Sequence, residues 1–412
     1  FMSMRSVLLA FISSYILPMS SRNIGLAVSA VDLSGSISQP FFGWIADKTG
    51  GRWLGALGVA WTVSFILLSM LVVMAGGSYW LMFIPLAIAG FGSGAFHPVG
   101  SMHATDVDHN RAASNASWFF MFGQLGLGLG PALVGLLLNN AHTTRGAWFK
   151  AAINPAFGSY VIESGSIAPV FILGLLAIPA VILMAVTIPN RGKFAESVRA
   201  RRALSTAADA PVPPIPKIPF AILAVAVTLR SFSNPAIVTF MPLIFQSKGW
   251  SPSEYGLLSS AFWVASGLAG LWLGQLGDRY DVRRLIMLSL IISAPGIFLL
   301  PDLTGAGAFA IAILVGAMGG THSLIVVLAQ NLMPGRKGFA SGMILGFIFA
   351  TGAVGNLIVG EMIDRMGAEG AFRVVALVTL VGAFLWLALP RAKPQHITPE
   401  MNDPEAVPLG AD

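Results

Sequence analysis

The chain contains no cysteine, which excludes disulfides, thiolate metal sites and cysteine nucleophiles. Charge is nearly as scarce. Asp, Glu, Lys and Arg make up 10% of the 412 residues, against about a quarter in a soluble domain. No nucleophile stands beside a base, and neither His97 nor His322 has a carboxylate at ligand spacing, which argues against an enzyme or a histidine metal site there. The net charge of +6 comes from basic residues scattered through short loops rather than gathered on one face, which argues against a nucleic-acid partner.

What is present is apolar. Hydrophobic residues are 55% of the chain and the mean hydropathy is +0.77. Runs of membrane-spanning length recur from end to end, bounded by Gly, Pro and charge. They predict an all-α membrane protein with twelve transmembrane helices near 1–20, 24–44, 53–75, 79–102, 112–139, 166–189, 218–246, 254–276, 283–300, 306–331, 337–362 and 370–390. No cleavable signal peptide is expected, and because Arg5 follows Phe1 almost at once, the first helix is expected to begin upstream of Phe1. The polar, proline-rich stretch 190–217 reads as a linker between six-helix bundles at 1–189 and 218–390, with a tail at 391–412. The segment from Asn139 to Ala168 reads as a short surface helix or a lid. With an inside N-terminus, 16 of the 24 Lys and Arg residues fall in inner loops and tail and 6 in outer loops, which puts both termini in the cytoplasm.

The two halves repeat one another. GWIADKTGGRWL (Gly43 to Leu54) returns as GQLGDRYDVRRL (Gly274 to Leu285). His97 precedes Arg111 by 14 residues, as His322 precedes Arg336; Arg111 precedes Gly130 by 19, as Arg336 precedes Gly355. Parallel six-helix repeats are an architecture of secondary transporters.

The loop Gly43 to Arg52, with its copy Gly274 to Arg284, resembles the signature between the second and third helices of the major facilitator superfamily. Gly126-x3-Gly130-Pro131-x3-Gly135 resembles the glycine-proline motif of its proton-driven antiporters. GAFHPVGS (Gly94 to Ser101) and LAQNLMPGRKGFASGMILGF (Leu328 to Phe347) resemble the fosmidomycin-resistance branch, which implies drug/proton antiport of a phosphonate type. Those antiporters commonly carry an Arg in the fourth span; 79–102 has none.

Arg5 and Arg230 lie deep in the first and seventh spans, where an arginine costs roughly 2.5–3.5 kcal/mol on insertion scales. The repeat makes these helices equivalent, so the two guanidiniums are expected to face one another across a central cavity and grip a small anion by forked hydrogen bonds. Packing against a carboxylate or carbonyl is the structural alternative. Asp32, the deep acid, either takes up a proton in exchange for substrate or serves as a standing counter-ion to Arg5; its counterpart in the repeat is Trp263. His97 and His322 are candidates for proton relay. Asn234, Gln124 and Trp263 complete the expected substrate contacts. Asp47 with Arg52, and Asp278 with Arg283 and Arg284, are expected to latch the bundles. Gly126, Gly130 and Pro131 are expected to let helices approach and bend. These residues describe a monomeric secondary transporter of a small organic anion in the inner membrane, without cofactor, driving proton-coupled export. Uptake of a carboxylate, siderophore or phosphorylated metabolite is the alternative, and a non-transporting receptor the rival class.

Overall fold

A computed structural model describes residues 2–106, 112–142, 167–188, 215–333 and 337–391; within these, some side chains, including those of Asp47, Asn234 and Asp278, are not described. The expected linker, most of the 139–168 segment and the C-terminal tail therefore lie outside the described residues. The first half of the chain comprises α1 (Met4–Tyr15), α2 (Ser21–Thr49), α3 (Arg52–Met74), α4 (Tyr79–Asp106), α5 (Ala112–His142), a 3-10 segment (Ala168–Leu176) and α6 (Ala177–Thr187). The second comprises α7 (Lys217–Ser247), α8 (Pro252–Arg279), α9 (Val282–Leu299), α10 (Gly305–Gly319), α11 (His322–Leu332) and α12 (Lys337–Leu385). Among the described residues there is no strand, and nine helical stretches are long and apolar enough to cross a membrane.

Local chemistry sets the helix ends. The Ser20 hydroxyl accepts from the Asn23 N–H at 3.2 Å and opens α2. Gly50 and Gly51 turn the chain into α3 with φ of 79° and 70°, a pair of left-handed conformations that favours glycine. Ser251 and Glu254 form a capping box at the start of α8, with Ser251 N–H donating to Glu254 Oε2 at 2.7 Å.

One expected span takes a different form. The run 306–331 is broken: α10 ends at Gly319 and α11 starts at His322. Gly319 and Gly320 are weak helix formers, and Gly320 is pressed against α8, where an added Cβ would lie 2.6 Å from the Ser266 carbonyl oxygen. The runs 337–362 and 370–390 are two helical stretches of α12 separated at Gly367 (φ 77°, ψ 167°), a conformation that only glycine adopts readily.

Three apolar clusters report how the halves meet. The largest draws on both, from Phe11, Val31 and Leu138 to Phe240, Tyr255 and Phe372. The other two are separate: Leu223, Ile286 and Leu328 pack in the second half, and Ala46, Val99 and Ile188 in the first. Hydrogen bonds between the halves accompany the shared cluster. The Asp364 carboxylate accepts from the Ser21 and Arg22 N–H groups at 2.8 Å each, Ser29 Oγ donates to the Ala353 carbonyl at 2.6 Å, and Ala132 N–H donates to Ser260 Oγ at 2.9 Å. The halves are thus fused at the face carrying the α1–α2 connection. Toward the face carrying the α2–α3 turn the cores part, and α2 exposes Ile37 and Phe41.

Candidate functional site

Arg230 sits at the middle of the 31-residue α7 and is 2% exposed. Its guanidinium is turned toward the break between α10 and α11. Nε donates to Thr321 Oγ1 at 3.1 Å, and Nη2 donates to the Gly319 carbonyl at 2.8 Å and approaches His322 Nδ1 at 3.4 Å. No described carboxylate forms an ion pair with it. The opposing charge comes from the C-terminal end of α10, where unpaired carbonyls carry the negative pole of the helix. Nη1 has no hydrogen bond to a described residue, which leaves donors for an incoming acceptor. Immediately beyond, α11 begins without a side-chain cap, so its first N–H groups also point toward the break. A discontinuous helix at membrane depth is how secondary transporters commonly build ion and substrate sites.

Arg5 is arranged otherwise. Its Nη2 donates to Asp32 Oδ1 at 2.8 Å, Nη1 to the Val28 carbonyl at 3.3 Å and Nε to the Met2 carbonyl at 2.7 Å. Both side chains are largely buried, at 9% and 17% exposure. Of the two alternatives for Asp32, the structure shows the ion pair. The expected meeting of two guanidiniums is not what these contacts describe: Arg5 is turned to α2, Arg230 to the α10–α11 break. Helix equivalence fixes where each Cα lies, but the nearest acceptor decides where a long side chain points.

The histidines are related by position and differ in contacts. His97 Nδ1 donates to the Ser93 carbonyl at 2.7 Å, and its ring lies 6.2 Å from Phe349 of the other half. His322 accepts from Arg230 through Nδ1, so its proton is on Nε2. On the seam between α5 and α8, Gln124 packs beside Gly267, and Trp263 lies one turn along the same face. Gln124 Oε1 and Trp263 Nε1 are buried without a hydrogen-bond partner, one acceptor and one donor from opposite halves. The side chain of Asn234 lies outside the described ones.

Among the described residues, none of the three expected latch arginines bridges the halves. Arg283 is bonded to Asp281, with Nη2 to Oδ2 at 2.7 Å, and to the Leu387 and Leu389 carbonyls, so it ties the α8–α9 connection to the end of the chain's own second half. Those hydrogen bonds, the side-chain bond first, hold the Asp281 carboxyl below the usual carboxylate range. Arg284 is exposed. Arg52 stacks on Trp53 at 5.4 Å, and the side chains of Asp47 and Asp278 lie outside the described ones. Gly130 meets α1, where an added Cβ would lie 2.6 Å from Ser3 Oγ, and the Pro131 carbonyl packs on Gly256; Gly126 faces open space. Among the described residues no group of three or more His, Cys, Asp or Glu could hold a metal. The α10–α11 break, with Gly319 and Thr321, was missed from sequence; the one signal was a Gly-Gly pair inside an apolar run.

The family model described as Major Facilitator Superfamily matches residues 1–228 and 220–410. The chain is 25% identical to a fosmidomycin resistance protein of Escherichia coli (strain K12), covering 87% of this chain and 82% of that protein. It is 24% identical to a multidrug resistance protein, MdtG, of Serratia proteamaculans (strain 568), covering 89% and 84%. A solved bacterial homologue of the human lysosomal transporter Spinster, inward-facing and occupied, shares its fold with a TM-score of 0.70 at 14% identity, over 94% of this chain and 93% of that one. The chain therefore belongs to the Major Facilitator Superfamily and is a multi-pass membrane transporter, not an enzyme.

Proposed function

We propose that the chain is a proton-coupled transporter that exports a small organic anion of carboxylate, phosphonate or phosphate type by alternating access. It would use twelve membrane helices in two six-helix bundles, 1–189 and 218–390, in a bacterial inner membrane with both termini cytoplasmic. On that orientation the parted face opens to the cytoplasm. The observation that carries the reading is Arg230, a cation at mid-helix answered by a helix end rather than by a carboxylate. An anion there would meet Nη1, the N–H groups of α11 and His322, with Gln124 and Trp263 as further polar contacts across the halves. The names of the relatives, which concern resistance to fosmidomycin and to multiple drugs, support export.

A second reading has its own support. Protonation of Asp32 would release Arg5 as another cation for the substrate. Proton and anion would then favour one another's binding, which is the sign expected when both move in the same direction. Uptake therefore stands beside export.

The test is flux of small carboxylates, phosphonates and phosphate esters into proteoliposomes under pH gradients of either sign. Arg230→Ala should lower transport efficiency by about tenfold or more, since it removes charge-assisted hydrogen bonds. Arg230→Lys should also impair it, because the fork is lost. Wild-type flux in Arg230→Ala would remove the proposed site. Saturable binding without flux would leave a receptor.

A further inference from the structure

A cavity of about 740 Å3 lies far from Arg230, between α2, α3 and α4 of the first half. Its walls are apolar, formed by Phe42, Ile45, Leu54, Leu57, Trp61 and Phe91. Trp53, Leu57 and Trp61 recur every fourth residue along α3 and all are exposed, so the cavity runs along one helix stripe and is open on its outer side. One end differs. Arg52, the first residue of α3, lines the cavity there, and its Nε is buried with no hydrogen-bond partner. Among the described residues no carboxylate pairs with it, and its guanidinium lies over the Trp53 ring at 5.4 Å.

The shape selects the occupant. From Arg52 to Trp61 the helix rises about 14 Å. Arg52 stands where α3 enters the apolar layer, and Trp61 well inside it, so the groove has a cationic mouth at headgroup level and a hydrocarbon wall beneath. A soluble anion would leave that wall uncovered, and a plain hydrocarbon would leave the buried Nε unpaired. We propose that this groove binds one anionic phospholipid, its acyl chain lying along α3 and its phosphate held by Arg52. The guanidinium fork suits phosphate oxygens, and Trp53 braces it from the side.

The experiment is native mass spectrometry of the full chain in detergent with dioleoyl phosphatidylglycerol, against dioleoyl phosphatidylcholine and glycerol 3-phosphate. The wild type should retain phosphatidylglycerol over phosphatidylcholine and ignore glycerol 3-phosphate. Arg52→Ala should lower that retention by about tenfold, in proportion to a lost charge-assisted bond. Leu57→Trp, at a site 58% exposed, should fill the groove and lower it without touching the charge. Arg391→Ala, which removes another exposed cation, should leave it unchanged. Equal retention in Arg52→Ala and wild type would overturn the proposal. So would equal loss in Arg391→Ala, which would mean diffuse surface attraction, or full competition by glycerol 3-phosphate, which would mean a headgroup site without a tail.

Discussion

Arg5 and Arg230 are the same residue type at similar depth, yet deleting them should have unequal consequences for stability. Arg5 answers the Asp32 carboxylate at 2.8 Å in a largely buried pair. Arg5→Ala strands that carboxylate, and breaking a buried pair from one side costs about 3–5 kcal/mol. Arg5→Ala combined with Asp32→Asn should recover most of the loss, because no charge is left unpaired. Arg230 has no described carboxylate to strand; its removal frees only the Gly319 carbonyl, the Thr321 hydroxyl and His322. Arg230→Ala should therefore melt near the wild type while losing anion binding. Thermal melts of the wild type and the three variants in detergent separate the cases. A double variant that melts as low as Arg5→Ala would show that the pair is not what stabilises α1 on α2.

Among the elements, the start of α9 is fixed by Asp281, which accepts from the Arg283 N–H at 3.1 Å and from its side chain at 3.0 and 2.7 Å. Asp281→Ala should destabilise by about 1 kcal/mol through loss of the cap. The pH dependence has a definite sign. The carboxyl is held below its ordinary value, so its contribution is present above about pH 4, where the unfolded carboxylate is ionised, and is lost as pH falls through the lower folded value. The gap in melting temperature between wild type and Asp281→Ala should hold at neutral pH and close under strong acid. A constant gap would assign the effect to packing. The same elements show what a sequence can disclose. Apolar runs are dictated by the bilayer and read directly, as 53–75 does for α3. The α10–α11 break does not read this way, because Gly319, Gly320 and Thr321 are compatible with a continuous span and only contact with Ser266 and Gly270 of α8 decides it. The choice Asp32 made between Arg5 and a free proton site was likewise open, since both roles need the same residue at the same depth.

At the scale of the molecule, one apolar cluster is shared by the halves at one face and two separate clusters serve them toward the other. Alternating access requires the shared face to part at some point in the cycle, so a covalent tie placed there should stop it. The natural chain has no cysteine, and an introduced pair will form an unambiguous bond. Ser21 and Asp364 are the positions to join: the Asp364 carboxylate already reaches the Ser21 N–H at 2.8 Å across the halves. Each single variant should still transport, though Asp364→Cys gives up the carboxylate that caps the start of α2. Oxidation of the Ser21→Cys, Asp364→Cys double variant should abolish flux in proteoliposomes, and reduction should restore it. Because the tie lies at the fused face and leaves Arg230 untouched, the oxidised protein should still bind anion from the parted side. Loss of flux with binding retained is the pattern expected of a carrier held in one state. Unchanged flux in fully oxidised protein would mean that this face never opens, and that substrate leaves by a route the two-half architecture does not provide.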